Sequence, residues 1–176
     1  SLFEKMGGHP MAAGFSIKAE NLEPLREALN ANETLTEADL TETLYVDVSL
    51  PPRDLTLDLY QELARFEPYG VANPKPVFGS THMNVAEVKL CGKENQYARC
   101  TFASKKGEKI SGMVFKGKEL VDRIKEWFGK EECDKILKGQ ENASEIDILF
   151  HLVKNEYNGR ITMQIEPIAF RKSEME

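Results

Sequence analysis

Gly7-Gly8-His9-Pro10-Met11-Ala12-Ala13-Gly14 concentrates the residue types best suited to holding an anion. Two adjacent glycines let a backbone approach a ligand closely and take positive φ where a side chain would clash. Pro10 suits the first position of a helix, because it has no N–H to leave unpaired and its φ is already helical. The expectation is a very short helix opened by Pro10 and closed by Gly14, with His9 at its entrance. Free N–H groups and the positive end of the helix dipole would converge there on a phosphate-sized anion. Ala12 and Ala13 are small enough for that helix to press on a neighbouring surface. Glycine pairs are also ordinary turn material, so composition alone leaves open a structural turn with His9 as a plain polar residue.

A second constellation lies between Lys89 and Lys118, where eight basic residues face only two acidic ones, Glu94 and Glu108. The protein carries a net charge of −6, but residues 1–76 hold six basic against thirteen acidic side chains, while residues 77–176 are nearly balanced. A local basic surplus is what a phosphate-tracking surface needs; a solvated edge hairpin is the plainer reading of the same charges. Within Tyr97–Ser104, alternation puts Tyr97, Arg99 and Thr101 on one side and the apolar Ala98, Cys100 and Phe102 on the other. The second set should face a core. Tyr97 is then free to stack on a base, and Arg99, with Lys89, Lys93, Lys109 and Lys116, to follow backbone phosphates. His82 and His151 sit in alternating strand patterns and read as satisfied polar residues. No cluster of carboxylates and histidines has metal-ligand spacing, so no catalytic or metal-binding residue is assigned within the chain.

These groups need elements to hold them. After a short strand at Phe15-Ser16-Ile17, Glu20–Ala31 has Leu22, Leu25, Ala28 and Leu29 at helical spacing, with Pro24 in the first turn. Residues 32–42 read as an irregular or briefly helical connection, Leu44–Leu50 as a half-buried strand stopped by Pro51-Pro52, and Thr56–Phe66 as an amphipathic helix. Glu67-Pro68-Tyr69-Gly70-Val71-Ala72-Asn73-Pro74-Lys75-Pro76-Val77-Phe78 cannot continue that helix and reads as an extended, fairly rigid connector. Beyond it the pattern is β: Phe78–Leu90, Tyr97–Ser104 and Lys109–Phe115. A helix at Lys118–Phe128 and a polar stretch 131–142 with a helical turn at Ile136-Leu137 follow. The strands Glu145–Lys154 and Arg160–Arg171 end the pattern, joined through an Asn158-Gly159 hairpin signal. Five strands with a helix between the third and fourth is the order of an OB barrel.

A hydrophobic content of 41% with 30% charged residues is that of a globular protein, and 176 residues suffice for one large or two small cores. No apolar run is long enough to span a membrane and no leader is evident. Cys91, Cys100 and Cys133 make an odd number with no C-x-x-C pair, and the expected home is a reducing cytoplasm.

The octet resembles the Gly-Gly-His-x-x-Ala-Ala-Gly signature of the DHH-associated domain, which sits beside a metal-binding DHH domain in a phosphoesterase family. That resemblance gives Gly7, Gly8, His9 and Gly14 the role of holding a phosphate. The connector is similar to the Glu-Pro-(Phe/Tyr)-Gly-x-Gly-Asn-Pro-x-Pro-Val-Phe segment of RecJ-like exonucleases, with Ala72 where glycine is usual. The resemblance implies an α+β chain: a partial α/β DHH-associated domain over residues 1–69, a proline-rich connector at 70–77, and a five-stranded OB barrel over 78–176. It implies the C-terminal, substrate-binding piece of a 5′→3′ single-stranded-DNA exonuclease of repair and recombination. Mn²⁺ or Mg²⁺ would be held by a missing N-terminal DHH domain and none by this fragment. Single-stranded DNA and that missing domain are the implied partners, with a single-strand-binding protein or helicase beyond them, and no membrane. Two other readings stay open: a DHH-superfamily phosphodiesterase of short oligonucleotides or cyclic dinucleotides, and a non-catalytic RNA- or protein-binding module.

Overall fold

Residues 2–31, 34, 36–41 and 43–174 are described by a computed structural model, in which the chain parts into two units, Ser1–Leu44 and Tyr45–Glu176. Residues 45–69 fall in the second of these units. No helix among the described residues is long and apolar enough to cross a membrane.

In the first unit β1 (Lys5–His9) and β2 (Ala12–Ser16) pair antiparallel. The rings of Phe3 and Phe15 meet edge to face at 5.1 Å. A 3-10 turn, Ala19–Asn21, leads into α1 (Leu22–Ala31), which buries Leu25. Pro24 sits in its first turn, where its missing N–H has no partner to lose. The polar connection at 32–42 contains one helical turn, α2 (Glu37–Leu40), opened by Thr36, whose N–H and hydroxyl both donate to Asp39. Residues 32, 33, 35 and 42 of that connection lie outside the described residues.

The second unit begins with β3 (Val48–Ser49), much shorter than the strand expected over Leu44–Leu50. Leu44, Val46 and Val48 are exposed rather than half-buried. The segment is tied to the barrel by parallel pairing of Val48–Ser49 with Phe78–Gly79 and at Asp47, whose N–H donates to the Val77 carbonyl while its carboxylate accepts the Val77 N–H at 2.8 Å. α3 (Leu57–Ala64) is capped by Thr56 Oγ1, which accepts from Leu59 N–H, and sets Leu59, Tyr60 and Leu63 against the barrel. The connector after it is folded back on itself rather than extended. Gly70 and Asn73 exchange backbone hydrogen bonds, Asn73 Nδ2 donates to the Phe66 and Pro68 carbonyls, and Tyr69 Oη donates to Leu63 O at 2.6 Å. Ala72 is not among the positive-φ residues, so its methyl costs the turn no left-handed strain.

The barrel is built from β4 (Phe78–Cys91), β5 (Tyr97–Ala103), β6 (Lys109–Val114), β7 (Glu145–Tyr157) and β8 (Arg160–Lys172). β4 pairs with both β5 and β7, and β6 pairs parallel with β8, so the order β4-β5-β6-β8-β7 closes on β4. Closure requires the fourteen-residue β4 to bend, and its register shifts twice, between Ser80 and Met83 and between Val85 and Glu87. The inward set is the apolar one: Val85, Val88, Ala98, Cys100, Phe102, Ile146, Ile148, Phe150 and Ile165 are essentially fully buried. Burial pushes the Cys100 thiol up to about 12, so it serves only as core. α4 (Gly117–Leu137) adds Leu120, Ile124, Cys133 and Ile136 to this core and is broken at Gly129 (φ 83, ψ 170). Its second half is the segment from which the sequence suggested only a turn at Ile136-Leu137. Asn158 and Gly159, both at positive φ, make the two-residue turn between β7 and β8.

Candidate nucleic-acid interface

Sequence reasoning put a helix entrance at His9; the structure has a β-hairpin instead. Gly7 lies opposite Gly14, Gly8 opposite Ala13 and His9 opposite Ala12, leaving Pro10-Met11 as the turn. Pro10 has the fixed φ that a turn position wants as much as a helix start does. The dipole argument for an anion seat therefore falls away, and none of Gly7, Gly8 or Gly14 is at positive φ. Gly8 is required for another reason: a Cβ there would stand 2.6 Å from Ala13 Cα. What remains is an exposed strip in which Gly7, Gly8, His9 and Gly14 are neighbours with bare backbone. His9 Nδ1 accepts the Met11 N–H at 3.3 Å. In the neutral ring that leaves the proton on Nε2, available as a donor.

The second candidate surface is the outer face of β4, β5 and β6. Register fixes who stands beside whom: Lys89, Arg99 and Met113 form one row across the three strands, and Glu87, Thr101 and Ser111 the next. Lys109 begins β6 opposite Ala103, on the same outward side. Lys89, Arg99, Thr101 and Lys109 are thus brought together. Lys93 stands apart, in the 3-10 turn Lys93–Asn95 that joins β4 to β5. Lys116 lies beyond the end of β6, at the start of α4. Two of the lysines are partly neutralised: Lys89 Nζ is 2.9 Å from Glu87 Oε1, and Lys116 Nζ 3.1 Å from Glu119 Oε2. Among the described residues Lys93, Arg99 and Lys109 have no acidic partner within ion-pair distance.

Tyr97 is not the freely exposed ring that alternation suggested. It is half-buried over Gly92, where a Cβ would stand 2.6 Å from its ring, and α4 packs so tightly on its backbone that a Cβ on Gly117 would stand 2.6 Å from the Tyr97 carbonyl carbon. Its ring meets Phe115 edge to face at 5.9 Å and 86°. Phe115, missed in the sequence, is the more open of the two at 63% exposure. The signal was present, since Lys109, Ser111, Met113 and Phe115 continue one alternating set.

His82, His151 and Asp147 are occupied in holding the fold. His82, at φ 51 in the first irregularity of β4, pairs through Nδ1 with Glu145 Oε2 at 3.0 Å, and His151 Nδ1 contacts the Pro76 carbonyl at 2.7 Å. Asp147 accepts from Ser173 Oγ, the His82 N–H and Arg171 Nε. Burial alone would raise its carboxyl, but these three bonds together hold it below the usual carboxylate range. Among the described residues no three His, Cys, Asp or Glu side chains stand where they could share a metal ion.

A family model described as the RecJ OB domain matches residues 46–168. The chain is 32% identical over 120 residues to the single-stranded-DNA-specific exonuclease RecJ of Bacillus subtilis, covering 67% of this chain and 15% of that protein. It is 29% identical over 169 residues to the putative SPbeta prophage-derived single-strand DNA-specific exonuclease YorK of the same organism, covering 94% and 26%. Crystal structures of Thermus thermophilus RecJ in complex with Mn²⁺ and with Mg²⁺ share its fold, each with a TM-score of 0.65. They are 22% and 23% identical to it, over 99% of this chain and 22% and 24% of theirs. This chain thus spans about a quarter or less of the length of these two relatives. With most of its residues under one family model and a five-stranded barrel that closes on β4, the chain belongs to the RecJ OB domain family.

Proposed function

We propose that this chain is the strand-gripping C-terminal part of a RecJ-like exonuclease that digests single-stranded DNA 5′→3′ in repair and recombination. The observation that carries the reading is the outer face of β5 and β6, where Arg99, Thr101 and Lys109 stand together and neither cation has an acidic partner among the described residues, in a protein whose net charge is −6. On this surface Arg99 and Lys109 neutralise successive phosphates, Thr101 donates its hydroxyl to a phosphate or sugar oxygen, and Lys93 extends the basic track at the loop. In the first unit the His9 Nε2–H donates to a phosphodiester oxygen, and Gly7, Gly8 and Gly14 leave backbone bare for that group to approach. The relatives with solved structures bind Mn²⁺ and Mg²⁺. The described residues here do not offer a donor set for such an ion. The reading therefore gives this chain grip and orientation, and assigns the ion's ligands and the hydrolytic step to a DHH domain outside it.

Titration of labelled oligonucleotides tests this. Single-stranded DNA should bind with an affinity that rises with strand length and falls with salt, ahead of duplex DNA, dinucleotides and structured RNA. Preference for a dinucleotide or for structured RNA would overturn the reading in favour of a small-nucleotide phosphodiesterase or an RNA-binding module. Incubated with Mn²⁺ and a single strand, the chain alone should release no nucleotides, and reproducible metal-dependent turnover would overturn the division of labour.

A further inference from the structure

We propose that Phe115, rather than Tyr97, is the residue on which a base of the bound strand stacks, with Tyr97 as its positioning residue; this rests on the single-strand reading of the β5–β6 face. Three observations carry it. Phe115 is 63% exposed, and it continues the outward set of Lys109, Ser111 and Met113. Tyr97 is held from two sides, its ring over Gly92 and its backbone against Gly117, whose N–H donates to the Gln96 carbonyl at 2.9 Å. A ring so confined has little face to offer. It does, however, fix its neighbour, because the edge-to-face contact at 5.9 Å braces Phe115 from one side and leaves the rest of that ring in solvent. The third observation is charge. Arg99 and Met113 face each other two residues along their strands, about 7 Å from the aromatic pair at the usual strand rise. A nucleotide whose base lies on Phe115 therefore has, within one residue pair of its phosphates, a guanidinium with no acidic partner among the described residues. An isolated exposed phenylalanine is unremarkable on a protein surface; one braced by a second ring beside this arginine is built as a platform.

The test uses the whole chain with labelled oligothymidylate, the same strand with abasic sites, and a strand carrying 2-aminopurine. Phe115→Ala and Phe115→Leu should each weaken oligothymidylate binding by about ten-fold, Phe115→Trp and Phe115→Tyr should stay within about two-fold of wild type, and the abasic strand should not distinguish them. Wild type should quench 2-aminopurine emission more than Phe115→Ala does. Unchanged oligothymidylate binding by Phe115→Ala, or an equal loss on the abasic strand, would overturn the stacking role while leaving the interface standing. Failure of the wild-type chain to bind any single strand would overturn the interface and the platform together. Phe115→Leu keeps the apolar volume without the ring, so a loss common to Leu and Ala but absent in Trp belongs to stacking and not to folding.

Discussion

Arg99 and Asp147 are both charged residues on strand surfaces, and the groups around each decide opposite uses. Arg99 points out of β5 with Met113 as its neighbour on one side and the already paired Lys89 on the other. Among the described residues no acidic group pairs with its charge. Arg99→Ala should therefore leave the melting temperature almost unchanged, weaken single-strand binding, and reduce the slope of log affinity against log salt by about 0.7, the share of one phosphate contact. Salt titrations of the two proteins read that difference directly. Asp147, by contrast, has a side chain only 13% exposed and gathers three donors from β4 and the end of β8. Its folded pKa lies below the unfolded value of about 3.9, so its contribution to stability is full above that pH and is lost as pH falls through the folded value. Asp147→Asn should cost about 1–3 kcal/mol at pH 7, and it should lose less further stability than wild type on acidification. Urea melts of both proteins at neutral and acid pH check this, and identical curves at pH 7 would show that the three donors find equal partners in the amide.

Where side-chain alternation or helical spacing carried the information, whole elements were legible in the sequence, and where backbone geometry carried it they were not. β5 could be read inside and out because Ala98, Cys100 and Phe102 differ in chemistry from Tyr97, Arg99 and Thr101. The octet could not, since Gly7, Gly8, Ala12, Ala13 and Gly14 have almost no side chain to alternate, and Pro10 satisfies a turn and a helix start equally. Tyr97 lies on the outward side that alternation gives it, but what confines it is Gly92 and Gly117, and residue spacing carries no sign of either close approach. α4 shows the same limit. Its apolar positions split into 120–128 and 133–136 because Gly129 interrupts the helix at φ 83, ψ 170, a region that is nearly glycine-only. Leu120 and Ile124 on one side of the break and Cys133 and Ile136 on the other all reach the same core. Gly129→Ala must either strain that residue or straighten the helix and pull one pair away. A loss of about 1–3 kcal/mol is expected in chemical denaturation, although nothing lies within 4 Å of the added methyl. A neutral Gly129→Ala would mean that the break is a consequence of packing and not a requirement for it.

Charge is distributed over the whole molecule against what its total suggests. Residues 1–44 hold three basic and eight acidic side chains, and residues 45–176 hold twenty and twenty-one. The first unit thus carries most of the excess that would repel a polyanion, and the second unit, nearly neutral in sum, gathers eight of its twenty cations between Lys89 and Lys118, against only two acidic residues there. Repulsion between exposed charges fades over roughly 8 Å at physiological ionic strength, so most of that acidic excess should be felt by DNA only when salt is low. Removing residues 1–44 should then raise the affinity for a single strand a few-fold at low salt and change it by less than about two-fold near 0.15 M. The hairpin's contribution through His9 is expected to matter only where a reacting phosphate is held for hydrolysis, and simple strand binding should not register its loss. Parallel titrations of the full chain and of residues 45–176 at two salt concentrations decide the matter, with circular dichroism to establish that the shorter chain keeps its barrel. If the shorter chain were folded yet bound ten-fold more weakly at both salt concentrations, the principal contacts would lie on the β1–β2 hairpin, and the outer face of the barrel would be only a secondary guide.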